Sequence, residues 1–278
     1  MKKGLVRIIF NVGVVSAVVV LLFLLLKNSG GYPQKIAEQE SVRDEQEEVR
    51  QIPDLEDEGG GERPVEAVSE PAVREPIAEN QNPLLDVPFV LQAPFANWDD
   101  PLFQDACEEA AILMASGWLE GKGSFTKQQM SDEIKKIAAI EDEVLSEHID
   151  ASAQDTAEIL KRYAKGGNVS VRNDATLAEI KNELFSGNLV IVPTNGRKLG
   201  NPNYTSPGPV THMIVIVGYD GAKKEFITND SGTRNGEGYR YGENVLFGAV
   251  RDYPTGNHYE KPIDESVIER NMIVVGRE

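Results

Sequence analysis

The sequence predicts an α+β domain with an antiparallel sheet, set behind a transmembrane helix and an acidic spacer. Three observations predict it. From residue 84 onward, helical apolar patterns come first, and short β-branched runs bounded by turn residues come afterwards. Helices segregated before strands point to an α+β fold rather than to alternating βαβ units. Ahead of them, a 19-residue apolar run near Met1 leads into a charged, proline-rich stretch.

The apolar run is Ile8–Leu26, interrupted by Asn11, Gly13 and Ser16. Crossing the hydrocarbon core takes ~20 residues, whereas the apolar part of a cleaved signal peptide is only ~7–15 long. The run ends in Leu24-Leu25-Leu26-Lys27-Asn28, without a small-residue cleavage site. Residues 1–28 therefore read as an uncleaved anchor. Lys2, Lys3 and Arg7 precede the span and Lys27 alone follows it. That asymmetry places the N-terminus in the cytoplasm and the rest of the chain outside, in the cell membrane's extracytoplasmic space.

Residues 29–83 read as a disordered stalk. Between Lys35 and Asn80 stand 15 acidic and 5 basic residues, and prolines recur at Pro53, Pro64, Pro71, Pro76 and Pro83. Such a segment buries too little apolar surface to offset its ordering entropy, and like charge and proline extend it. The globular domain is then 84–278.

Within it, Asp86–Gln92 reads as extended. Asp105–Leu119 reads as a buried helix, apolar on most sides. Thr126–Ala139 and Asp155–Ala164 read as amphipathic helices. Thr176–Phe185 is another, with Thr176 and Glu179 in capping-box spacing and Gly187 past its end. Strands follow at Leu189–Pro193, Met213–Tyr219 and Glu225–Thr228, with weaker candidates at Asn244–Val250 and Met272–Val275.

The formal net charge of -17 argues against nucleic acid as a partner, because phosphate binding needs a surplus of Lys and Arg. Half or more of the excess lies in the stalk. The single cysteine rules out a disulfide within the chain and a Cys-rich zinc site. No ligand cluster with EF-hand or His-x-x-x-His spacing is present, so no metal and no cofactor are expected. Cys107 is then a buried small hydrophobe, a partner in an intermolecular disulfide, or a reactive thiol.

Its position favours the last. Cys107 opens the buried helix, where the partial positive charge of the helix start lowers a thiol pKa. Glu108 and Glu109 oppose that effect, so an imidazole partner is needed. Of the three histidines, His148 and His258 read as solvated. His212 opens the apolar run that ends at Tyr219, and Asp220-Gly221 marks a hairpin turn. A two-residue turn sets His212 opposite Ser231, and a three-residue turn sets it opposite Asp230. Either register brings an aspartate within one residue of the imidazole, where it orients the ring. The order Cys, His, Asp, with the thiol on a helix and the other two on a sheet, is the papain arrangement.

Asp86-Val87-Pro88-Phe89-Val90-Leu91-Gln92 and Gln104-Asp105-Ala106-Cys107-Glu108-Glu109-Ala110-Ala111 resemble papain-like cysteine peptidases related to the bacteriocin-processing enzymes. So do Thr211–Asp220 and Asn229-Asp230-Ser231-Gly232. The resemblance covers roughly residues 84–250. It implies a papain-like fold and thiol-dependent cleavage of amide bonds, with Cys107 as nucleophile, His212 as base and Asp230 as orienting acid. It also implies that Gln92, with the Cys107 backbone N–H, forms the oxyanion hole. Gln104 is the rival for that role, although three residues before the nucleophile is a cramped place from which to reach the same oxygen.

Relatives commonly carry Cys-Gly-Pro where this chain has Cys107-Glu108-Glu109. The leader-removing relatives work in the cytoplasm fused to a transporter. This chain has one candidate span and no G-x-x-x-x-G-K-[ST] loop, so the implied substrate is a peptide or protein outside the membrane, including the cell envelope. Two alternatives remain at this stage. One is a non-catalytic binding module on the same fold. The other is an acyl transferase of the transglutaminase kind, in which an amine replaces water. The Gly/Pro-rich loop Asn195–Pro209 and Trp98 are candidates for the cleft wall.

Overall fold

Helices start where the sequence supplies caps. In this computed structural model, which describes residues 82–146, 150–256 and 264–277, Thr126 and Gln129 form a capping box at the start of one helix. Thr176 and Glu179 do the same at another, and the Ser152 hydroxyl caps a third. Each satisfies backbone N–H groups that the first turn leaves without partners.

The elements in chain order are α1 (Pro101–Gln104), α2 (Cys107–Leu119), α3 (Lys127–Leu145), α4 (Ala153–Tyr163), β1 (Asn168–Arg172), α5 (Leu177–Phe185) and β2 (Leu189–Thr194). They continue with α6 (Gly196–Leu199), β3 (His212–Asp220), β4 (Glu225–Asn229), β5 (Tyr239–Gly242), α7 (Glu243–Ala249), a 3-10 turn (Glu265–Val267) and β6 (Met272–Gly276). The strands form one sheet in the order β1-β6-β2-β3-β4-β5, and every pairing is antiparallel.

Side chains alternate across a strand, and here both faces are covered. Leu189, Ile191, Met213, Val215, Val217, Ile273 and Val275 pack under α2, α3 and α4. Val190, Val192, Ile214, Ile216, Phe226 and Tyr241 pack under α5 and α7. Double coverage explains why β2 and β3 read as continuous apolar runs rather than alternating ones. Helix α2 is buried from Cys107 to Trp118, as its all-round apolar character predicts. At Gly117 a Cβ would stand 2.8 Å from Phe125 and Pro88, so only glycine fits there.

The α+β class and the antiparallel sheet agree with the sequence reading. Several boundaries differ. The helix expected at Asp105–Leu119 starts two residues later, as α2, and the short helix α1 precedes it across a turn. Helix α3 runs on to Leu145, carried by the buried Ile134, Ile137, Ala138 and Glu141. Asn244–Val250, expected as a strand, is helix α7: Leu246 and Ala249 are buried three residues apart, a helical spacing, and Gly242 turns the chain out of β5. Strands β1 and β5 were not anticipated, because Asn168–Arg172 and Tyr239–Gly242 alternate too briefly to stand out.

The extended segment around Asp86–Gln92 runs alongside β3 and β4. Leu85 N–H donates to Val217 O at 2.8 Å and Gln92 N–H donates to Ser231 O at 3.2 Å. Contacts begin at Asn82, whose side chain accepts from Gly221 N–H. Among the described residues no helix is long and apolar enough to cross a membrane. The run Ile8–Leu26, the stalk up to residue 81, His148 and His258 lie outside the described residues, whereas Asn82 and Pro83, expected as the stalk's end, bond to the β3–β4 hairpin.

Candidate active site

Strand β4 leaves the sheet after Asn229, and the next residue turns inward. The hairpin differs from both expected registers. Its turn spans four residues, Asp220 stands opposite Glu225, and a bulge at Val217 shifts the pairing so that Val215 faces Asn229. Asp230 then lies beyond the ladder rather than opposite His212. The two still meet, because Asp230 N–H bonds to Gly236 O at 3.0 Å and closes a loop that aims the carboxylate back at β3. A Cβ at Gly236 would come within 1.9 Å of that Asp230 carbonyl oxygen, so the loop needs glycine there.

His212 Nε2 and Asp230 Oδ1 are 2.9 Å apart. His212 is 4% exposed and Asp230 is 0% exposed. Oδ1 also accepts from Gly232 N–H at 3.1 Å. The other oxygen, Oδ2, accepts from Asn201 Nδ2 at 3.1 Å, Tyr204 OH at 2.6 Å and Tyr241 OH at 2.7 Å. Burial works to raise the Asp230 pKa. The charge of His212 and hydrogen bonds from His212, Tyr204 and Tyr241 outweigh it, and the carboxyl stays below its usual range. A carboxylate on Nε2 fixes the proton there and leaves Nδ1 as the basic nitrogen.

Cys107 starts α2, which packs on β3, and the Met213 N–H hydrogen-bonds to its sulfur. The thiol is therefore held against the residue next to His212. It donates to Glu108 Oε2 at 2.9 Å. The lowered thiol pKa expected at a helix start is not what the surroundings produce. Burial first, then the charges of Glu108 and Asp150, push it well above the usual thiol value. Glu108 is itself buried, and burial together with Asp150 and Glu109 pushes its carboxyl well above the usual carboxylate range. A small pocket of ≈ 10 Å³, about room for one water, lies beside Glu108 and His212, lined also by Asp150, Thr194, Thr211 and Tyr253 among others.

Gln92 is buried close by. Its Nε2 donates to Gln104 O at 2.9 Å and makes a longer contact with Phe103 O at 3.4 Å, while Oε1 accepts from Ser231 Oγ at 3.3 Å. Gln104 turns its carbonyl inward, towards Gln92, and its side chain is exposed. Trp98 is 41% exposed and does not cap the core. The loop between β2 and β3 supplies Asn201 and Tyr204 to Asp230. Tyr241, on a strand not anticipated, had no signal of its own.

The Peptidase_C39 like family matches residues 84–251. The chain belongs to the Peptidase_C39-like family. This is a papain-like cysteine peptidase family, and its match ends just past α7. Among solved structures, the chain is similar to a crystal structure from Bacillus anthracis described as a C39-like peptidase, at 14% identity and a TM-score of 0.46, covering 71% of this chain and 98% of that one. No curated protein matches the chain. The family match spans the α2 start, the β3–β4 hairpin and the Asp230 loop, so Cys107, His212 and Asp230 all fall within the Peptidase_C39-like region.

Proposed function

We propose that the chain is a membrane-anchored thiol hydrolase that cleaves amide bonds of a peptide or protein outside the cytoplasm. The observation that carries this reading is the buried His212–Asp230 pair on the strand whose Met213 N–H hydrogen-bonds to the Cys107 sulfur. His212 Nδ1 takes the thiol proton as the sulfur attacks the scissile carbonyl carbon. The C–N bond then breaks, and the leaving amine takes that proton. Water attacks the thioester, giving its proton to the same nitrogen. The acid leaves, and the proton returns to the sulfur. Asp230 stays ionised and orients the ring. The Cys107 backbone N–H and the Gln92 amide supply the oxyanion donors, the amide using the hydrogen that makes only the long Phe103 contact.

The raised thiol pKa favours a second reading, a binding module in which Cys107 stays protonated. Alkylation separates the two. A Cys107 that reacts faster than a free thiol near neutral pH, together with peptide cleavage lost in Cys107→Ala, supports the hydrolase. A thiol no faster than a free one, with no cleavage of any peptide, supports the module. A product assay with added amine distinguishes acyl transfer from hydrolysis. The placement outside the membrane rests on the charges flanking Ile8–Leu26. A C-terminal tag shielded from protease in intact cells would overturn it.

A further inference from the structure

We propose that Tyr204 and Asn201, on the loop between β2 and β3, are positioning residues that hold Asp230 as an anion and thereby fix the His212 ring. This deepens the hydrolase reading and rests on it for its meaning in turnover. The observation is the crowding of donors around one buried carboxylate. Oδ1 receives His212 Nε2 and the Gly232 N–H, and Oδ2 receives Asn201, Tyr204 and Tyr241. A carboxylate offers about four lone-pair sites. Five donors fill them, and a protonated carboxyl would have to give up one of these bonds or turn a tyrosine hydroxyl into an acceptor. The set of donors favours the anion.

The donors differ in where they come from. Gly232 and Tyr241 belong to the neighbourhood of the sheet itself. Asn201 and Tyr204 come from a connection that the fold does not need for its ladder, and that connection is braced at both ends. Asn195 Nδ2 bonds to Tyr253 OH at 2.9 Å and to Glu265 Oε1 at 2.7 Å. Arg197 N–H bonds to Pro209 O at 3.1 Å. A Cβ on Gly196 would stand 2.5 Å from Pro209, so the two ends of the loop pack too closely for any other residue. Asn201 Oδ1 holds Asn203, and Asn203 Oδ1 takes Asn235 Nδ2 at 2.8 Å, which ties the loop to the one that carries Asp230. The Tyr204 ring meets the His212 ring edge-on, with centroids 5.5 Å apart and an interplanar angle of 81°. Tyr204 thus touches both members of the pair.

Among the described residues, the titratable groups facing Asp230 are His212 from β3, Tyr204 from the loop and Tyr241 from β5. Removing a donor from Oδ2 raises the carboxyl's proton affinity. It also loosens the carboxylate that decides which ring nitrogen keeps the proton.

The test uses the full chain with ¹⁵N-labelled histidine, as wild type, Tyr204→Phe, Asn201→Ala and the two combined. The His212 signals are assigned by their absence in His212→Asn. Wild type is expected to show the Nε2-protonated ring. The variants are expected to show an Nδ1-protonated fraction, and the acid side of the kcat/KM profile on a peptide substrate is expected to move to higher pH. The double variant should move furthest. Folded variants that keep the wild-type ring signals and an unmoved acid limb overturn the proposal, even if kcat falls. If wild type cleaves nothing, the hydrolase reading fails by itself, and the ring signals still decide whether the clamp exists.

Discussion

The Cys107 thiol donates a hydrogen bond to the carboxyl of the very next residue, Glu108, across 2.9 Å. Both side chains are buried at the start of α2. Glu108 makes the thiol harder to ionise, while the thiol's hydrogen bond favours the Glu108 carboxylate against the burial and the neighbouring acids that keep its pKa high. Glu108→Gln keeps an acceptor for the thiol and removes the charge. It is therefore expected to lower the thiol pKa and to speed alkylation of Cys107 near pH 8, measured as a second-order rate. An unchanged rate would show that Glu108 exerts no hold on the thiol.

The same substitution has a signature in stability. The folded-state pKa of Glu108 is raised, so the folded chain holds this proton more tightly than the unfolded chain does. Stability is then lost as pH rises from the usual carboxylate range through the raised value. Glu108→Gln removes that loss. Thermal melts of variant and wild type are expected to converge at acid pH and to separate at neutral pH, with the variant higher.

Asp230 has the opposite sign. Its carboxyl is held below the usual range, so its contribution is present above that range and fades as pH falls through the folded value. Asp230→Asn is expected to flatten the acid side of the stability curve. On the hydrolase reading it also lowers kcat by roughly a hundredfold to ten-thousandfold, because the wrong ring tautomer is favoured. Steady-state kinetics on one peptide check the second part.

Two glycines in the Asp230 loop separate folding from chemistry. At Gly236 a side chain would collide with backbone, so Gly236→Ala is expected to cost about 2 kcal/mol or more in denaturant unfolding. At Gly232 a Cβ would stand 3.0 Å from His212 Cε1 and 3.4 Å from Asp230 Oδ1. Gly232→Ala is expected to lower kcat more than it lowers stability.

Truncation tests the lead-in segment. A chain beginning at residue 82 keeps the bond from Gly221 N–H to Asn82 and that from Tyr219 N–H to Pro83 O. It should fold in free solution. A chain beginning at residue 86 loses both of these, and also the Leu84–Gly218 bridge. It is expected to melt several degrees lower in a thermal scan.

Much of this architecture was legible in the residues. Thr176 and Glu179 announce their helix because capping is local chemistry. The runs in β2 and β3 announce strands because β-branched residues cluster there. Asn244–Val250 reads as a strand although it forms α7, because it is short and its apolar residues fit either period. The site was legible in part. The single cysteine, and a histidine opening a strand before a hairpin, narrow the choice to Cys107 and His212. Asp230 came from a register argument that the structure revises: the turn is longer, the strand bulges, and a loop closure rather than a ladder position brings the carboxylate in. Asn201, Tyr204 and Tyr241 could not be read this way, because contacts 11 to 40 residues apart in sequence leave no local pattern. The raised thiol pKa was equally hidden, since it depends on how dry the helix start is and on Asp150.

Gln92 bonds at once to the chain just ahead of α1's end and to the loop after Asp230. One amide therefore acts as a latch across the seam between the helical layer and the sheet. If that amide turns to greet an oxyanion, it gives up part of its grip on Phe103. Occupancy of the hole and closure of the seam are then thermodynamically linked, and a tightly bound aldehyde inhibitor should change amide exchange at Phe103 and Gln104 as well as at the sulfur it caps.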